Sequence, residues 1–109
     1  MLGTTGNSWA AHNQQQAAKF SAVKDSIKSV LTKHIDSFER KPQAMDVKAM
    51  KAEVIKTHGN SLARYSVDEA YLTFVVDALE QNEVLRYVED DTKVFPGREF
   101  KSEEITLLF

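Results

Sequence analysis

Cysteine is absent from this 109-residue chain, and glycine and proline are scarce, with four and two copies. The lack of cysteine excludes disulfides and thiolate metal sites, so packing alone must hold the fold together. Few glycines are available for phosphate-binding loops, and none of the motifs G-x-x-x-x-G-K-[ST], G-x-G-x-x-G or G-x-S-x-G occurs. The sequence therefore argues against nucleotide binding, and we expect no cofactor.

Long hydrophobic runs are also missing. No apolar stretch approaches the roughly 20 residues that span a bilayer, and the first residues form neither a basic leader nor an apolar signal core. We therefore expect an intracellular protein, nuclear or cytoplasmic, with no membrane partner. The hydrophobic content of 42% and charged content of 28% are ordinary for a soluble globular domain, and the length supplies one modest core.

Groups for catalysis or metal binding do not converge in the sequence. His12, His34 and His58 are each separated by more than twenty residues, so the close histidine pairs of a zinc site are missing. The acidic run at residues 89–91 lacks the glycine and the terminal glutamate of an EF-hand loop. We predict a non-enzymatic protein with no catalytic residues and no metal site.

The stretch from Ser66 to Phe95 organises the fold prediction, and its first part is a helix. Ser66 and Glu69 have the S-x-x-E spacing of a capping box, which predicts a helix start at Ser66. The polar pair Gln81-Asn82 predicts the end of that helix near Asn82. The predicted buried face comprises Val67, Tyr71, Phe74, Val75, Ala78 and Leu79.

The second part of that stretch has the composition of a β-hairpin. Residues 84–88 and 93–95 are rich in branched and aromatic side chains, and they flank the acidic turn at residues 89–92. A helix that runs directly into a two-stranded ribbon is the core of a winged helix. Pro96-Gly97 should end the second strand.

The N-terminal part of the chain divides into an arm and a long helix. Residues 1–16 have no apolar period, which predicts a flexible, disordered arm. Its lone Trp9 either anchors the arm on the domain or on a partner, or belongs to an unattached tail. Apolar residues recur at helical spacing from Ala17 to Phe38 and predict the longest helix, which Pro42 follows. Residues 17–109 should form the single domain.

A short strand and a second helix follow in the middle of the chain. Residues 43–45 are expected to pair as the first strand, and Asp46 is a suitable N-cap for a helix over Val47–His58. The pair His58-Gly59 predicts the end of this helix, with Gly59 in the left-handed conformation. The predicted buried face contains Val47, Met50, Val54 and Ile55. Near the C-terminus, the apolar residues 105–109 predict another short strand or a docking plug.

These elements give an α+β fold in the order α-β-α-α-β-β, and residues 17–95 resemble a winged-helix domain. Within that class the chain resembles the C-terminal winged helix of minichromosome-maintenance (MCM) replicative helicase subunits. The resemblance lies in residues 44–47 (AMDV) and residues 75–85 (VVDALEQNEVL). It implies an interaction module within a DNA-replication helicase assembly.

Charge is divided unevenly along the chain. Residues 1–64 contain ten Lys or Arg against five acids, a net charge of +5, whereas residues 65–109 contain four against eleven, a net charge of −7. A DNA-reading winged helix inserts its third helix into a groove, but the third helix and hairpin tip here belong to the acidic half. They would face phosphates with like charge.

We therefore predict a protein-interaction module that contacts a basic partner through its acidic third helix and wing. Leu72 and Val76 lie off the main apolar stripe, and Tyr87 alternates away from Leu85. If exposed, they form an apolar spot in an acidic rim. The alternative is that the domain buries the third helix on both sides. The predicted protein-binding residues are Asp68, Leu72, Val76, Asp77, Glu80, Tyr87 and Asp90.

A second hypothesis is a nucleic-acid-binding domain that uses a lysine face on helices one and two. Such a face would contact phosphate weakly, with strong salt dependence and little sequence specificity. The alternative is a solvated surface that happens to carry lysines. The residues of this hypothesis are Lys24, Lys28, Arg40, Lys41, Lys48, Lys51 and Lys56.

Overall fold

Over residues 2–101 the fold is α+β, with three α-helices and a three-stranded antiparallel sheet, and it is compatible with the winged-helix class. The computed structural model describes the backbone of residues 2–101 and the side chains of residues 13–101. The predicted strand or plug at residues 105–109 and the role of the Trp9 side chain lie outside the described residues. The elements are α1 (Leu2–Asp36), β1 (Met45–Asp46), α2 (Val47–Leu62), a 3-10 helix (Ala63–Tyr65), α3 (Glu69–Gln81), β2 (Leu85–Val88) and β3 (Lys93–Pro96).

Helix α1 is longer than its apolar pattern indicates. The pattern predicts a start at Ala17 after a disordered arm, whereas the helical backbone begins at Leu2. Residues 10–18 contain four alanines and three glutamines, which favour a helix without forming an apolar stripe. Because extending an existing helix needs no new nucleus, the packed part of α1 supports this continuation. Periodicity therefore detects only the packed part of the helix.

Helix α2 starts as predicted and ends later. The Asp46 carboxylate accepts a hydrogen bond from the Ala49 amide at 3.2 Å, which confirms Asp46 as the N-cap. The predicted stop at His58-Gly59 is wrong, because Gly59 is helical and the helix continues to Leu62. Leu62 is buried in the core, so packing of its side chain stabilises the additional turn.

The start of α3 also differs from its prediction. Asp68, not Ser66, is the N-cap, and its carboxylate accepts a hydrogen bond from the Tyr71 amide at 2.8 Å. Ser66 instead ends the preceding 3-10 helix in a left-handed conformation, with φ of 53°. Asp and Ser are about equally good N-caps, so the capping-box spacing alone does not choose between them.

The end of α3 follows the prediction. The helix stops at Gln81, and Asn82 is its C-cap. The Val84 amide donates a hydrogen bond to the Leu79 carbonyl at 2.9 Å, and the Glu83 amide donates one to the Glu80 carbonyl at 3.0 Å. These are the two hydrogen bonds of a Schellman motif. Glu83 occupies the left-handed position with φ of 63°, where glycine is more usual. This motif turns the chain directly into β2.

The sheet has the strand order β1-β3-β2, and all neighbours are antiparallel. Both hairpin strands lie within one residue of their predicted bounds. The first strand was expected at residues 43–45, and the structure places β1 later, at Met45–Asp46. It pairs with β3 through Met45 opposite Val94, as expected for a winged helix. At the hairpin tip, Glu89, Asp90 and Asp91 all have positive φ, at 51°, 57° and 64°.

One hydrophobic core joins the helices to the sheet among the described residues. The face that α3 turns to this core differs from the prediction, since Leu72, Val75, Val76 and Leu79 are buried while Phe74 is 57% exposed. In α2, the prediction that Ile55 is buried is wrong, because its side chain is 47% exposed. A continuous i, i+3, i+4, i+7 stripe is formed by Leu72, Val75, Val76 and Leu79. This aliphatic stripe faces the core, and the stripe that contains Phe74 does not.

Candidate protein-interaction surface

A diagonal row of side chains crosses the solvent side of α3. Tyr71, Phe74, Asp77 and Glu80 follow one another at three-residue spacing, so each Cβ atom is about 5–6 Å from the next. Phe74 and Asp77 are exposed, while Tyr71 and Glu80 are partly buried at the two edges of the helix. We call these four residues the outer ridge. It changes from aromatic at one end to acidic at the other.

The aromatic end of the outer ridge meets α1. The ring of Phe74 lies edge-on to Phe20, with centroids 6.4 Å apart, and 5.8 Å from the ring of Tyr71. We call Phe20, Tyr71 and Phe74 the aromatic patch. Lys19 places its ammonium 4.2 Å from the centroid of the Tyr71 ring, a cation–π contact at the rim. Burial raises the pKa of Tyr71, so its hydroxyl is neutral at physiological pH.

The acidic end of the outer ridge is joined to the sheet. The Tyr87 hydroxyl on β2 donates a hydrogen bond to the Asp77 carboxylate on α3. Burial is the largest cause that raises the pKa of Tyr87, and this hydrogen bond is the second. The negative charges of Asp77, Glu80 and Asp91 act in the same direction, so three carboxylates from α3 and the hairpin influence one hydroxyl. The helix and the ribbon thus form one acidic surface.

The tip of the hairpin extends this acidic surface. The ammonium Nζ of Lys93 lies 3.2 Å from Oε2 of Glu89 and balances its charge. The backbone carbonyl of Glu89 accepts a hydrogen bond from the Thr92 hydroxyl at 2.6 Å. Within the described part of the chain, Asp90 and Asp91 have no ion-pair partner. Both side chains are exposed. The tip therefore presents the carboxylate of Asp90 to solvent, while Asp91 lines a cleft that Lys48 and Lys51 also line.

The structure keeps four of the seven predicted protein-binding residues at this surface, namely Asp77, Glu80, Tyr87 and Asp90. Asp68 is exposed but caps α3 through its carboxylate. Leu72 and Val76 are each only 1% exposed, so the apolar spot predicted from them is wrong and their side chains belong to the core. A partner cannot reach them without unfolding the helix.

Sequence reasoning missed the exposed aromatic residues because it assigned Phe74 to the buried stripe. Most side chains of α3 at its middle are apolar, so periodicity allowed two overlapping stripes. One signal favoured the observed choice. The aliphatic set Leu72, Val75, Val76 and Leu79 repeats without a gap, whereas the set containing Phe74 includes the small Ala78.

The structure distributes the seven basic residues of the nucleic-acid hypothesis over α1, the loop that follows it and α2, and it brings Lys48 and Lys51 to the lining of one cleft. Lys51 contacts Glu69 at 3.6 Å and the Thr73 hydroxyl at 3.2 Å, so it lies against α3. The ammonium of Lys28 lies 5.3 Å from the centroid of the Phe100 ring. Arg40 and Lys41 are in the loop after α1. The remaining members, Lys24, Lys48 and Lys56, lie on α1 and α2.

Two of the three histidines share one groove in the described residues. His34 and His58 line a groove of about 250 Å³ between α1 and α2, and His34 Nε2 lies 3.2 Å from the Gln43 carbonyl oxygen. Across residues whose side chains are described, no group of three or more His, Asp or Glu is placed to hold a metal ion. Nor does any described helix have the length and apolar character needed to cross a membrane.

Comparison with protein-family models, with curated proteins and with solved structures finds no match for this chain. The observations that bear on function are therefore those of the surface itself. The outer ridge and the hairpin tip are the features of that surface that concentrate both charge and exposed aromatic area.

Proposed function

We propose that this chain is a non-enzymatic winged-helix interaction module that binds the basic surface of another protein. One observation carries the proposal. The solvent side of α3 presents Asp77 and Glu80 in a helix that contains no Lys or Arg, and Asp90 and Asp91 extend the same charge along the hairpin. Such a surface attracts a basic partner over distances of about a Debye length and repels acidic ones.

The same charges oppose the usual DNA-binding mode of a winged helix. Duplex DNA carries about one negative charge per 1.7 Å of its axis, and α3 would bring carboxylates toward those phosphates. The lysine alternative requires bases that converge, whereas Lys28 and Lys51 contact separate parts of the fold.

The proposed setting is a DNA-replication helicase assembly. Its support is the resemblance of residues 44–47 and 75–85 to the winged-helix tails of MCM subunits. Residues 75–85 include Asp77 and Glu80, so the segment that carries the resemblance also carries the acidic surface. The interaction with a basic protein does not depend on this setting.

The test is quantitative capture of partners from an extract of the cells that make the protein. A neutralised triple variant, Asp77→Asn, Glu80→Gln and Asp90→Asn, keeps the shape of each side chain and the acceptor for Tyr87. The matched control, Asp25→Asn, Asp36→Asn and Glu39→Gln, removes the same charge from positions on or just after α1. The account expects specific partners to be lost with the first variant, retained with the second, and released by salt. Equal capture by both variants would overturn the proposal.

A further inference from the structure

Phe74 is an exposed large hydrophobic side chain that stands beside carboxylates. Within the described part of the chain, only Phe74 and Ile55 combine large apolar side chains with high exposure. Ile55 lines a groove with Lys51 and Leu72, whereas the ring of Phe74 contacts the rings of Phe20 and Tyr71. Exposed aromatic residues with a polar rim are typical of the centre of a protein interface.

The spacing of the outer ridge matches one kind of partner. Its side chains lie about 5–6 Å apart, the distance at which positions i, i+3 and i+4 repeat on any α-helix. A second helix laid against α3 therefore brings its own row of side chains into register with Phe74, Asp77 and Glu80. The row of side chains on the partner helix must begin with an apolar residue, to meet Phe74, and continue with basic residues, to meet Asp77 and Glu80.

We infer that the partner segment is a basic amphipathic helix. Its apolar side chain packs against the rings of Phe20 and Phe74, and its Lys or Arg residues, three to four positions further on, pair with Asp77 and Glu80. This inference rests on the proposed function and adds the secondary structure and the apolar anchor of the partner.

A second copy of this chain does not fit the surface. A two-fold symmetric dimer through the outer ridge has two forms. With parallel α3 helices, Asp77 and Glu80 face the same residues of the other copy and repel them. With antiparallel helices they face Phe74 and Tyr71, where Lys19 is the base that the structure places at the rim. One lysine does not pair both carboxylates, and α3 itself carries no base. Charge complementarity thus selects a basic partner.

The experiment uses the full chain and synthetic helical peptides of defined composition. The probe peptide carries Leu and Lys at alternating three- and four-residue spacing. A second peptide replaces every Leu with Ala, and a third replaces every Lys with Glu. Binding is measured by isothermal titration or fluorescence anisotropy for the wild type, Phe74→Ala, the control Ile55→Ala, and the double variant Asp77→Asn with Glu80→Gln.

The inference predicts that the Leu/Lys peptide binds the wild type and binds Phe74→Ala roughly tenfold more weakly, a loss of about 1.4 kcal/mol. Ile55→Ala should bind like the wild type, and the Ala/Lys peptide should bind more weakly than the Leu/Lys peptide. Thermal unfolding of each variant verifies that it is folded, which is expected because Phe74 and Ile55 are exposed.

The outcomes separate this inference from the proposed function. If Phe74→Ala and the Ala/Lys peptide bind like their parents while the charge variant binds weakly, the apolar anchor is wrong and the proposed function stands. If the Leu/Lys peptide does not bind at millimolar concentration, or binds the Asp77→Asn, Glu80→Gln variant as tightly as the wild type, both the inference and the proposed function are overturned. If Leu107→Ser with Leu108→Ser, which adds no charge, tightens binding, the chain's own residues 105–109 compete for the patch and the inference is overturned.

Discussion

The hydroxyl of Tyr87 donates a hydrogen bond to the carboxylate of Asp77, and this contact joins β2 to α3. It holds one carboxylate of the outer ridge in a fixed position next to the exposed ring of Phe74. The proton that makes the bond belongs to the tyrosine, so ionisation of Tyr87 must break it and place two negative charges side by side. The acidic surface is thereby linked to the protonation of Tyr87.

Deprotonation of Tyr87 should make the folded state less stable in alkaline solution. Burial and the neighbouring carboxylates raise the pKa of Tyr87 above its ordinary value of 10.0. The folded state therefore keeps a proton that the unfolded chain releases, so the stabilisation is complete below about pH 10 and is lost as the pH rises through the folded-state pKa. The free energy of unfolding, measured in urea from neutral to alkaline pH, should fall more steeply for the wild type than for Tyr87→Phe. Parallel curves would contradict this relationship.

Gly97 should tolerate no side chain, because the backbone leaves no space for one. A Cβ atom at this position would overlap the carbonyl oxygen of Glu83, although the φ of Gly97 is not positive. The backbone must move to accept it, so we expect Gly97→Ala to cost about 1–3 kcal/mol of unfolding free energy.

The matched control for Gly97 is Gly59, which lies inside α2, where an added methyl group would meet nothing within 4 Å. There alanine is the better helix former, so Gly59→Ala should stabilise the protein by about 0.5–1 kcal/mol. Chemical denaturation of both variants measures the two effects. Effects of the same sign in the two variants would contradict the observed path of the chain at one of these glycines.

Leu72 and Phe74 should differ sharply in their contribution to stability, although they are two residues apart. Leu72 is 1% exposed, so Leu72→Ala should lower the free energy of unfolding by about 2–5 kcal/mol. Phe74→Ala removes mainly the aromatic contacts with Phe20 and Tyr71, worth about 0.5–1.5 kcal/mol. Urea unfolding of the two variants decides which stripe of α3 faces the core. A larger cost for Phe74→Ala would reverse the assignment.

Local chemistry predicted the parts of the fold that depend on a few adjacent residues. The Asp46 cap, the end of α3 at Asn82 and both hairpin strands follow from side chains that act on their own backbone. The acidic members of the candidate surface, Asp77 and Glu80, were also found this way, because helical spacing separates charged positions from the core.

Tertiary choices were not accessible to the same reasoning. Which stripe of α3 is buried depends on how Leu72 and Val76 fit against the other helices, so Phe74 was assigned to the wrong side. Phe100 is fully buried although it stands in a charged segment, and its burial depends on contacts distant in sequence. The pairing of Tyr87 with Asp77 likewise requires the hairpin to be placed beside α3.

The central claim is that the acidic face of α3 and the hairpin binds a basic protein segment and not nucleic acid. Backbone amide chemical shifts of the full chain, followed during parallel titrations with the Leu/Lys peptide and with random duplex DNA at about 50 mM salt, test it most directly, since phosphate contacts are strong at low salt. The peptide should shift the amides of Glu69–Gln81 and Leu85–Val88, and DNA should leave them unchanged. DNA-induced shifts in α3, with none from the peptide, would contradict it.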